Sequence, residues 1–191
     1  MRMTKEQIRK ILREKRKKQT IFKKTKSDQK ICTALEKLQE FQNAKSVLFY
    51  QAIEPEGEIT VTGLIKKYIH KKKILLPRSN HKKNELEICQ IQDLTNLEIG
   101  RHGIREPQKH CTIIHPSKID LVIVPGIAFD MKGYGIGFGK GFYDRFLKKI
   151  SCPVIALAYN FQIVQSIPGE KHDMKINTIV TEKEVIHFTT S

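Results

Sequence analysis

A glycine-rich segment between two apolar stretches constrains the fold of this chain more than any other feature. Six of the 11 glycines lie between Gly126 and Gly141, and five of these alternate from Gly133 onward. Glycine costs backbone entropy on folding, so such a cluster indicates a loop that must bend tightly or approach a ligand closely. The apolar residues 121–124 before it predict a buried strand, and residues 142–150 after it have helical spacing.

The order of strand, glycine loop and helix predicts an anion site, because backbone N–H groups without Cβ atoms can curl around a phosphate. Neither common phosphate motif fits, however. A dinucleotide fingerprint needs Gly-x-Gly-x-x-Gly at the strand end, and a Walker loop needs Ser or Thr where this chain has Gly141. A surface loop with tight turns is the alternative. Against it, functional side chains crowd the same segment: Lys140, Tyr143, Asp144 and Arg145.

Short apolar runs alternate with helical patterns along the chain. Strands are predicted at residues 47–50, 74–76, 86–91, 121–124, 154–158, 179–180 and 185–188. Helices are predicted after a capping box at Thr4-x-x-Gln7, from near Ser27, around residues 64–69, and after the glycine loop. We expect Pro77 to end the second strand and residues 86–91 to form an edge strand.

This alternation predicts the α/β class: a single three-layer domain over residues 1–191, with a largely parallel sheet flanked by helices. Ligands in such sheets bind at the carboxyl ends of the strands. The glycine loop follows Val124, and the region of Glu58 follows Tyr50. Both are therefore expected to open on the same edge of the sheet.

Composition limits the class of protein further. A length of 191 residues suits one domain, and no run approaches the roughly 18–20 apolar residues of a membrane span, so we expect no membrane partner. The N-terminus is charged from Arg2 onward and lacks an apolar signal core, which predicts no secretory export and a cytoplasmic location. We also expect a monomer. The four cysteines show no metal-binding spacing and are expected to be reduced thiols: Cys32, Cys89, Cys111 and Cys152.

The net charge of +15 is concentrated near the start, where residues 1–30 hold 13 Lys and Arg against 3 Asp and Glu. Part of this charge recurs at helical spacing, as a basic stripe of Lys5, Arg9, Arg13 and Arg16. A solvated helix face would account for the stripe, and so would an anionic ligand. Aromatic residues make up only 7%, and no nucleic-acid module is recognisable, so no specific nucleic-acid partner is expected.

At its central motif the chain resembles the 5-formyltetrahydrofolate cyclo-ligase family, also called methenyltetrahydrofolate synthetases. The family pattern is Pro-Gly-x-Ala-Phe-Asp, a short spacer, then Gly-x-Arg-Leu-Gly-x-Gly-x-Gly-Tyr-Tyr-Asp-Arg, which residues 125–130 and 137–145 follow closely. Further matching segments are Lys5-x-x-x-Arg9-x-x-x-Arg13, Glu58, Gly103-Ile-Arg-Glu-Pro107, His172-Asp173 and residues 179–182.

The resemblance implies ATP- and magnesium-dependent cyclisation of 5-formyltetrahydrofolate, with or without a polyglutamate tail, to 5,10-methenyltetrahydrofolate, ADP and phosphate. It implies catalytic roles for Tyr143 and Lys140, substrate contacts by Glu58 and Tyr143, and magnesium ligation by Asp144 and Asp173. The implied ATP-binding residues are Lys5, Arg9, Gly137, Phe138, Gly139, Lys140, Gly141, Phe142 and Tyr143. Asp130 is expected to brace the turn before the loop, and Arg145 either braces the loop or touches ligand.

Two departures separate the chain from the family pattern. Gly135 and Ile136 stand where the family has Arg and Leu, and the loop at 51–57 is longer. We expect Lys132, Lys140 or the basic stripe to compensate for the lost arginine. Two other readings stay open: another α/β enzyme acting on phosphorylated small molecules, such as a sugar-phosphate isomerase or acyl-CoA transferase, and a nonenzymatic basic RNA-binding protein.

Overall fold

The computed structural model describes residues 3–100, 103–168 and 175–188. Its helices are α1 (Lys5–Lys17), α2 (Ile21–Glu36), α3 (Gln39–Asn43), α4 (Thr62–Tyr68) and α5 (Phe142–Leu147). Its strands are β1 (Ser46–Leu48), β2 (Lys73–Asn80), β3 (Glu85–Ile91), β4 (Leu97–Ile99), β5 (Arg105–Pro107), β6 (Thr112–Ile113), β7 (Leu121–Val124), β8 (Ala128–Asp130), β9 (Gly135–Ile136), β10 (Val154–Leu157), β11 (Ile163–Val164), β12 (Thr178–Val180) and β13 (Val185–His187).

An eight-stranded sheet runs through the molecule in the order β13-β12-β10-β7-β1-β2-β3-β6. The five strands from β12 to β2 pair in parallel, and antiparallel pairs occur only towards the two sides. Two small sheets, β11-β8-β9 and β4-β5, lie outside it. The predicted single α/β domain with a mostly parallel sheet is therefore confirmed.

The sheet has an apolar core on each face, because neighbouring residues of a strand point to opposite sides. On one face, Val47 joins a buried cluster with Ile31 and Leu35 of α2 and residues of α3 and α4. On the other face, Leu48 joins a cluster with Phe146 of α5. Helices on both faces of the sheet give the three predicted layers.

The helices confirm the predicted capping box but not every predicted start. The Thr4 hydroxyl accepts a hydrogen bond from the backbone N–H of Gln7, and the Gln7 side chain accepts one from Thr4 N. The second helix begins at Ile21, capped by Thr20, so the predicted start near Ser27 is wrong. Ile21 and Phe22 in its first turn are 85% and 80% exposed. They do not belong to the buried face of the helix, so the spacing of buried apolar residues does not show where the helix begins.

Two strand predictions on the β2–β3 side are also wrong. Strand β2 continues through Pro77 to Asn80, because its parallel pairing with β1 ends at Leu75 and the missing N–H of proline breaks no bond there. Strand β3 is not an edge, since β6 pairs with it at Cys89 and Gln90. The same region joins Cys89 to Cys111 in a disulfide, so the expectation of four reduced thiols is wrong for this pair. The other two cysteines are unbonded.

The turn after β8 is held by a buried carboxylate. Asp130 accepts hydrogen bonds from the backbone N–H groups of Lys132 (2.9 Å), Tyr134 (3.1 Å) and Ile167 (2.9 Å). These bonds tie the segment before the glycine loop to the loop after β11, which is the predicted bracing role. Among the described residues, no helix combines the length and apolar character that a membrane crossing requires.

Candidate active site

A cavity of about 1030 Å³ opens at the carboxyl ends of β1, β2 and β7, as the topology predicts. Its walls come from α1, the loop before α4, the end of β2, residues 104–106 and the glycine loop. Every described residue that was predicted to touch ligand lines it, namely Lys5, Arg9, Glu58, residues 137–143 and Asp144. This volume lies at the upper end of the range found for small-molecule sites in proteins.

The glycine loop has a defined backbone shape. Gly133, Gly139 and Gly141 have φ values of +84°, +88° and +66°, in the left-handed region that side chains rarely adopt. Gly137 has no such φ, and its carbonyl accepts a hydrogen bond of 3.0 Å from Arg9 Nε. The alternation of glycines therefore serves turns at some positions and close approach to the cavity at others.

Arg145 braces this loop. Its guanidinium donates to the carbonyl of Lys140 at 2.9 Å and to the carbonyl of Asn84, between β2 and β3, at 2.8 Å. It also lies over the ring of Phe142, 5.3 Å from the centroid. Of the two roles considered for Arg145, the contacts support bracing.

The basic stripe of α1 divides into two parts. Lys5, Arg9 and Arg13 line the cavity, whereas Arg16 is buried behind it. Arg13 makes two hydrogen bonds to the Glu56 carboxylate, at 2.7 and 2.8 Å, and these bonds lower the pKa of Glu56 to about 2. Arg13 and Arg16 both lie over the Phe138 ring, 5.5 and 5.8 Å from its centroid. The stripe is thus partly ligand-facing and partly structural.

Glu58 is not an exposed loop acid; it is a buried wall residue of the cavity. One oxygen accepts a 2.8 Å hydrogen bond from Ile53 N, and the other lies 3.9 Å from Arg16 Nη2. Tyr50 fixes the same loop by donating to the carbonyl of Ile59 at 2.8 Å. Burial raises the pKa of Glu58, and Arg16 acts in the opposite direction. The result is an acceptor carboxylate held at a set position.

Tyr143 lies at the start of α5, where its ring packs against the apolar cluster under the sheet and also lines the cavity. Burial, and then the charge of Glu58, raise the pKa of its hydroxyl well above the usual value. Tyr143 therefore keeps its proton and can donate a hydrogen bond. Phe142 also lines the cavity, edge-on to His81 at 5.7 Å between ring centroids, whereas Phe146 enters the core.

Of the two predicted magnesium ligands, the structure places one. Asp144 is a half-buried residue of the first turn of α5 on the cavity wall, and its carboxylate makes no hydrogen bond or ion pair within the described ranges. Asp173 lies outside the described residues. Within those same ranges no three His, Cys, Asp or Glu residues are grouped as a metal site.

The predicted compensation for the missing arginine can be examined at Gly135. This residue lines the cavity, as do Lys140 and the ligand-facing part of the stripe, but Lys132 is exposed and does not. A Cβ at Gly135 would lie 3.0 Å from the Phe129 ring, a tight contact without left-handed strain. Compensation by Lys140 or the cavity-lining part of the stripe agrees with this geometry, whereas Lys132 lies outside the cavity lining; the compensation itself stays a prediction.

Several wall residues were missed by the sequence analysis. Ser79 lies near the end of β2 and His81 just after it, whereas Ile104 and Glu106, which belong to the matching segment 103–107 but were given no role, lie just before β5 and on it. The Glu106 carboxylate accepts from Ser79 Oγ at 2.8 Å, which joins these two segments. Recognising that β2 continues past Pro77 would have pointed to this wall.

Gly126, which precedes the alternating glycines, offers a test of the packing under the cavity. A Cβ at Gly126 would lie 2.2 Å from the buried Phe129 ring, whereas a Cβ at Gly137 meets nothing within 4 Å. We expect Gly126→Ala to lower the free energy of unfolding by about 2 kcal/mol or more, as overpacking does, and Gly137→Ala to change it little. Urea denaturation of both variants measures the difference. Equal stability of the two would contradict this packing.

A parallel sheet whose strand ends carry a glycine loop, a basic helix and a buried carboxylate defines an α/β protein with a cation-lined cavity at the edge of its sheet. The chain belongs to the 5-formyltetrahydrofolate cyclo-ligase family, whose sequence profile matches residues 1–182. It is accordingly an enzyme of the ligase class.

Individual relatives agree with this placement. A 5-formyltetrahydrofolate cyclo-ligase of Haemophilus influenzae is 30% identical over 182 residues, covering 92% of this chain and 96% of the relative. A probable 5-formyltetrahydrofolate cyclo-ligase of Caenorhabditis elegans is 30% identical over 164 residues, 78% of this chain and 79% of the relative. The solved structure of Aquifex aeolicus 5,10-methenyltetrahydrofolate synthetase superposes with a TM-score of 0.88 and 32% identity, covering 99% of this chain and 95% of that one.

Proposed function

We propose that the protein uses ATP and magnesium to close 5-formyltetrahydrofolate into 5,10-methenyltetrahydrofolate, with release of ADP and phosphate. The observation that carries this proposal is a single cavity bounded by both the glycine loop and Glu58. One wall suits a polyanion and the other a ring with N–H donors. Methenyltetrahydrofolate formation, followed by absorbance with and without ATP, tests it; no ATP-dependent product would refute it.

The chemical obstacle is that a formamide oxygen is a poor leaving group. In the proposed reaction this oxygen attacks the γ-phosphorus of ATP, and ADP departs. The side-arm nitrogen then attacks the activated formyl carbon and loses its proton, and phosphate leaves as the new five-membered ring closes. Phosphoryl transfer of this kind depends chiefly on alignment and on neutralising charge.

The residues of the cavity match these needs. The glycine loop lets backbone approach the phosphates, and the cations Lys5, Arg9 and Lys140 on the cavity wall neutralise them. Glu58 accepts hydrogen bonds from the amino-pyrimidine part of the pterin. Tyr143, which keeps its proton, either stacks on the pterin or donates to the formyl oxygen. Tyr143 lies close enough to Glu58 for the carboxylate charge to raise the pKa of its hydroxyl, which supports a shared role on the folate side.

Asp144 fits a magnesium ion in this arrangement. Magnesium in phosphoryl-transfer sites takes one or two carboxylates, with phosphate oxygens and water completing its shell, so a three-residue cluster is not required. Asp144 supplies a carboxylate that makes no hydrogen bond or ion pair to any described residue. It lies on the side of the cavity formed by the glycine loop. When bound, the ion would neutralise charge on the phosphates during transfer.

Lys140→Ala and Arg9→Ala are expected to raise the Michaelis constant for ATP about tenfold or more, since each removes a charge-assisted contact of about 1.5–3 kcal/mol. The Michaelis constant for the folate should change much less. Arg9→Ala also removes the bond to the Gly137 carbonyl and so acts on the loop itself. Steady-state titration of each substrate measures both constants.

Lys132→Ala is the matched control, because this lysine is exposed and lies outside the cavity. It should leave both Michaelis constants near those of the wild type. A defect confined to the folate in Lys140→Ala or Arg9→Ala would instead move these cations to the folate side.

A further inference from the structure

Arg16 is a buried arginine that does not line the cavity, although it belongs to the same stripe as the residues that do. Only 3% of it is exposed. Its Nε donates to the Glu56 carbonyl at 2.5 Å, and its Nη1 donates to the Gly126 carbonyl at 3.0 Å. These two bonds fix the guanidinium between the loop that carries Glu58 and the end of β7.

The remaining nitrogen of Arg16 faces Glu58 and also lies 4.0 Å from Glu56 Oε2. Nη2 lies 3.9 Å from Glu58 Oε1, and neither atom has a hydrogen-bond partner within the described residues. The other oxygen of Glu58 is occupied by Ile53 N, and the residue is 3% exposed. A buried polar atom without a partner is costly, so its retention calls for a functional reason.

The close approach of the Gly57 backbone to α1 also fixes the position of Glu58 relative to Arg16. Gly57, between the two glutamates, has a φ of +66°, and a Cβ there would lie 2.9 Å from the Arg16 carbonyl. Only glycine allows the loop to pass this close to α1. The distance between Arg16 and Glu58 is therefore set by the backbone and not only by two flexible side chains.

Several other charged or titratable groups face Glu58 from the surrounding elements. Glu56 lies on the same loop, Lys24 on α2, Tyr50 after β1 and Tyr143 on α5. Lys24 is engaged with Asp28 at 2.6 Å, and the two tyrosines are neutral. Beside the hydrogen bond from Ile53 N, Arg16 is thus the charged side chain best placed to stabilise a negative charge on Glu58.

We infer that Arg16 is a positioning residue which, through Glu58, holds an ionised carboxylate oxygen ready to accept a hydrogen bond from the pterin of the substrate. The inference rests on the proposed function for the identity of that ligand. Arg16 itself does not touch the substrate. Its guanidinium supplies the compensating charge, and its two carbonyl bonds supply the geometry.

The direct test is the titration of Glu58 by carbon-13 NMR of labelled glutamate carboxyls, with Glu58→Gln identifying the signal. Burial raises the pKa of Glu58 and Arg16 opposes that rise, so removing the guanidinium must raise it further. In Arg16→Met the midpoint should move to higher pH by about one unit or more. Arg16→Lys, which keeps a charge but loses the fork, should shift it less in the same direction.

Substrate kinetics give the second readout. Protonated Glu58 accepts poorly, so the Michaelis constant for the folate should rise as pH falls, and this rise should begin at higher pH in Arg16→Met. Well above the midpoint the variant should recover most of the folate affinity of the wild type. A purely structural role would lower activity by the same factor at every pH.

Lys17→Gln is the matched control. Lys17 is on the same helix, pairs with Glu56 at 2.8 Å, and has a side chain that is 43% exposed. Its loss should leave the Glu58 midpoint and the folate profile unchanged. An unshifted midpoint in Arg16→Met, or in Arg16→Lys if the methionine variant does not fold, overturns the inference. A shifted midpoint in a protein without folate turnover would refute the proposed function and leave the Arg16–Glu58 coupling intact.

Discussion

Asp144→Asn is expected to lower magnesium-dependent turnover on the order of 100-fold or more while the protein stays folded. Loss of groups that only orient a metal ligand already costs about 10–100-fold, so loss of the ligand charge itself should cost at least as much. The carboxylate makes no hydrogen bond or ion pair within the described ranges, and the amide has nearly the same shape. Turnover measured against magnesium concentration, with circular dichroism for folding, tests this.

Glu85→Gln is a suitable control for that experiment. It makes the same chemical change at a residue that pairs with Lys149 at 2.7 Å and lies outside the cavity. Its activity and magnesium dependence should match the wild type. If Asp144→Asn behaved in the same way as this control, Asp144 would not be the metal ligand.

Tyr143→Ala is expected to raise the Michaelis constant for the folate roughly tenfold or more and to affect ATP much less, through loss of an aromatic contact of up to ~1.5 kcal/mol and of the hydroxyl. Tyr143→Phe separates the two contributions, because it keeps the ring and removes only the hydroxyl. If stacking dominates, the phenylalanine variant is milder. Steady-state kinetics with each substrate distinguishes these outcomes.

The stability of both variants must be measured beside the kinetics, because the Tyr143 ring also packs against the apolar cluster. Tyr143→Ala should lower the melting temperature, and Tyr143→Phe should lower it less. Equal kinetic damage from both would assign the role to the hydroxyl, whose proton is retained at neutral pH. Unchanged folate kinetics in both, with lower stability, would make Tyr143 a core residue.

The location of the site was predictable because it depends on local patterns. The run at Leu121–Val124 and the glycines after it identify a strand and a loop, and parallel topology brings Glu58 to the same edge. The contacts of individual side chains at this edge of the sheet were harder to predict. Arg13 and Arg16 look alike in the stripe, yet one lines the cavity and the other is buried, because partners 40 or more residues away decide the difference.

The errors share a similar cause, in that tertiary contacts override local patterns. Pro77 interrupts no hydrogen bond to β1, because the pairing of β2 with β1 has already ended at Leu75. The local sequence does not show where that pairing ends. The start of α2 is set by the Thr20 side chain and not by apolar periodicity. Similarly, the pairing of Cys89 with Cys111 depends on β6 lying against β3.

The first helix is held by Glu56 and also by two residues much further along the chain. Arg9 bonds to Gly137 and Arg16 to Gly126, across 128 and 110 residues. During synthesis α1 leaves the ribosome first and must wait for nearly three quarters of the protein before these partners exist. Contacts of such long range are typical of slow folding. A nascent chain that ends before Gly126 lacks the whole glycine loop, so a ligand that binds this loop can stabilise the fold only after about three quarters of the chain has been made.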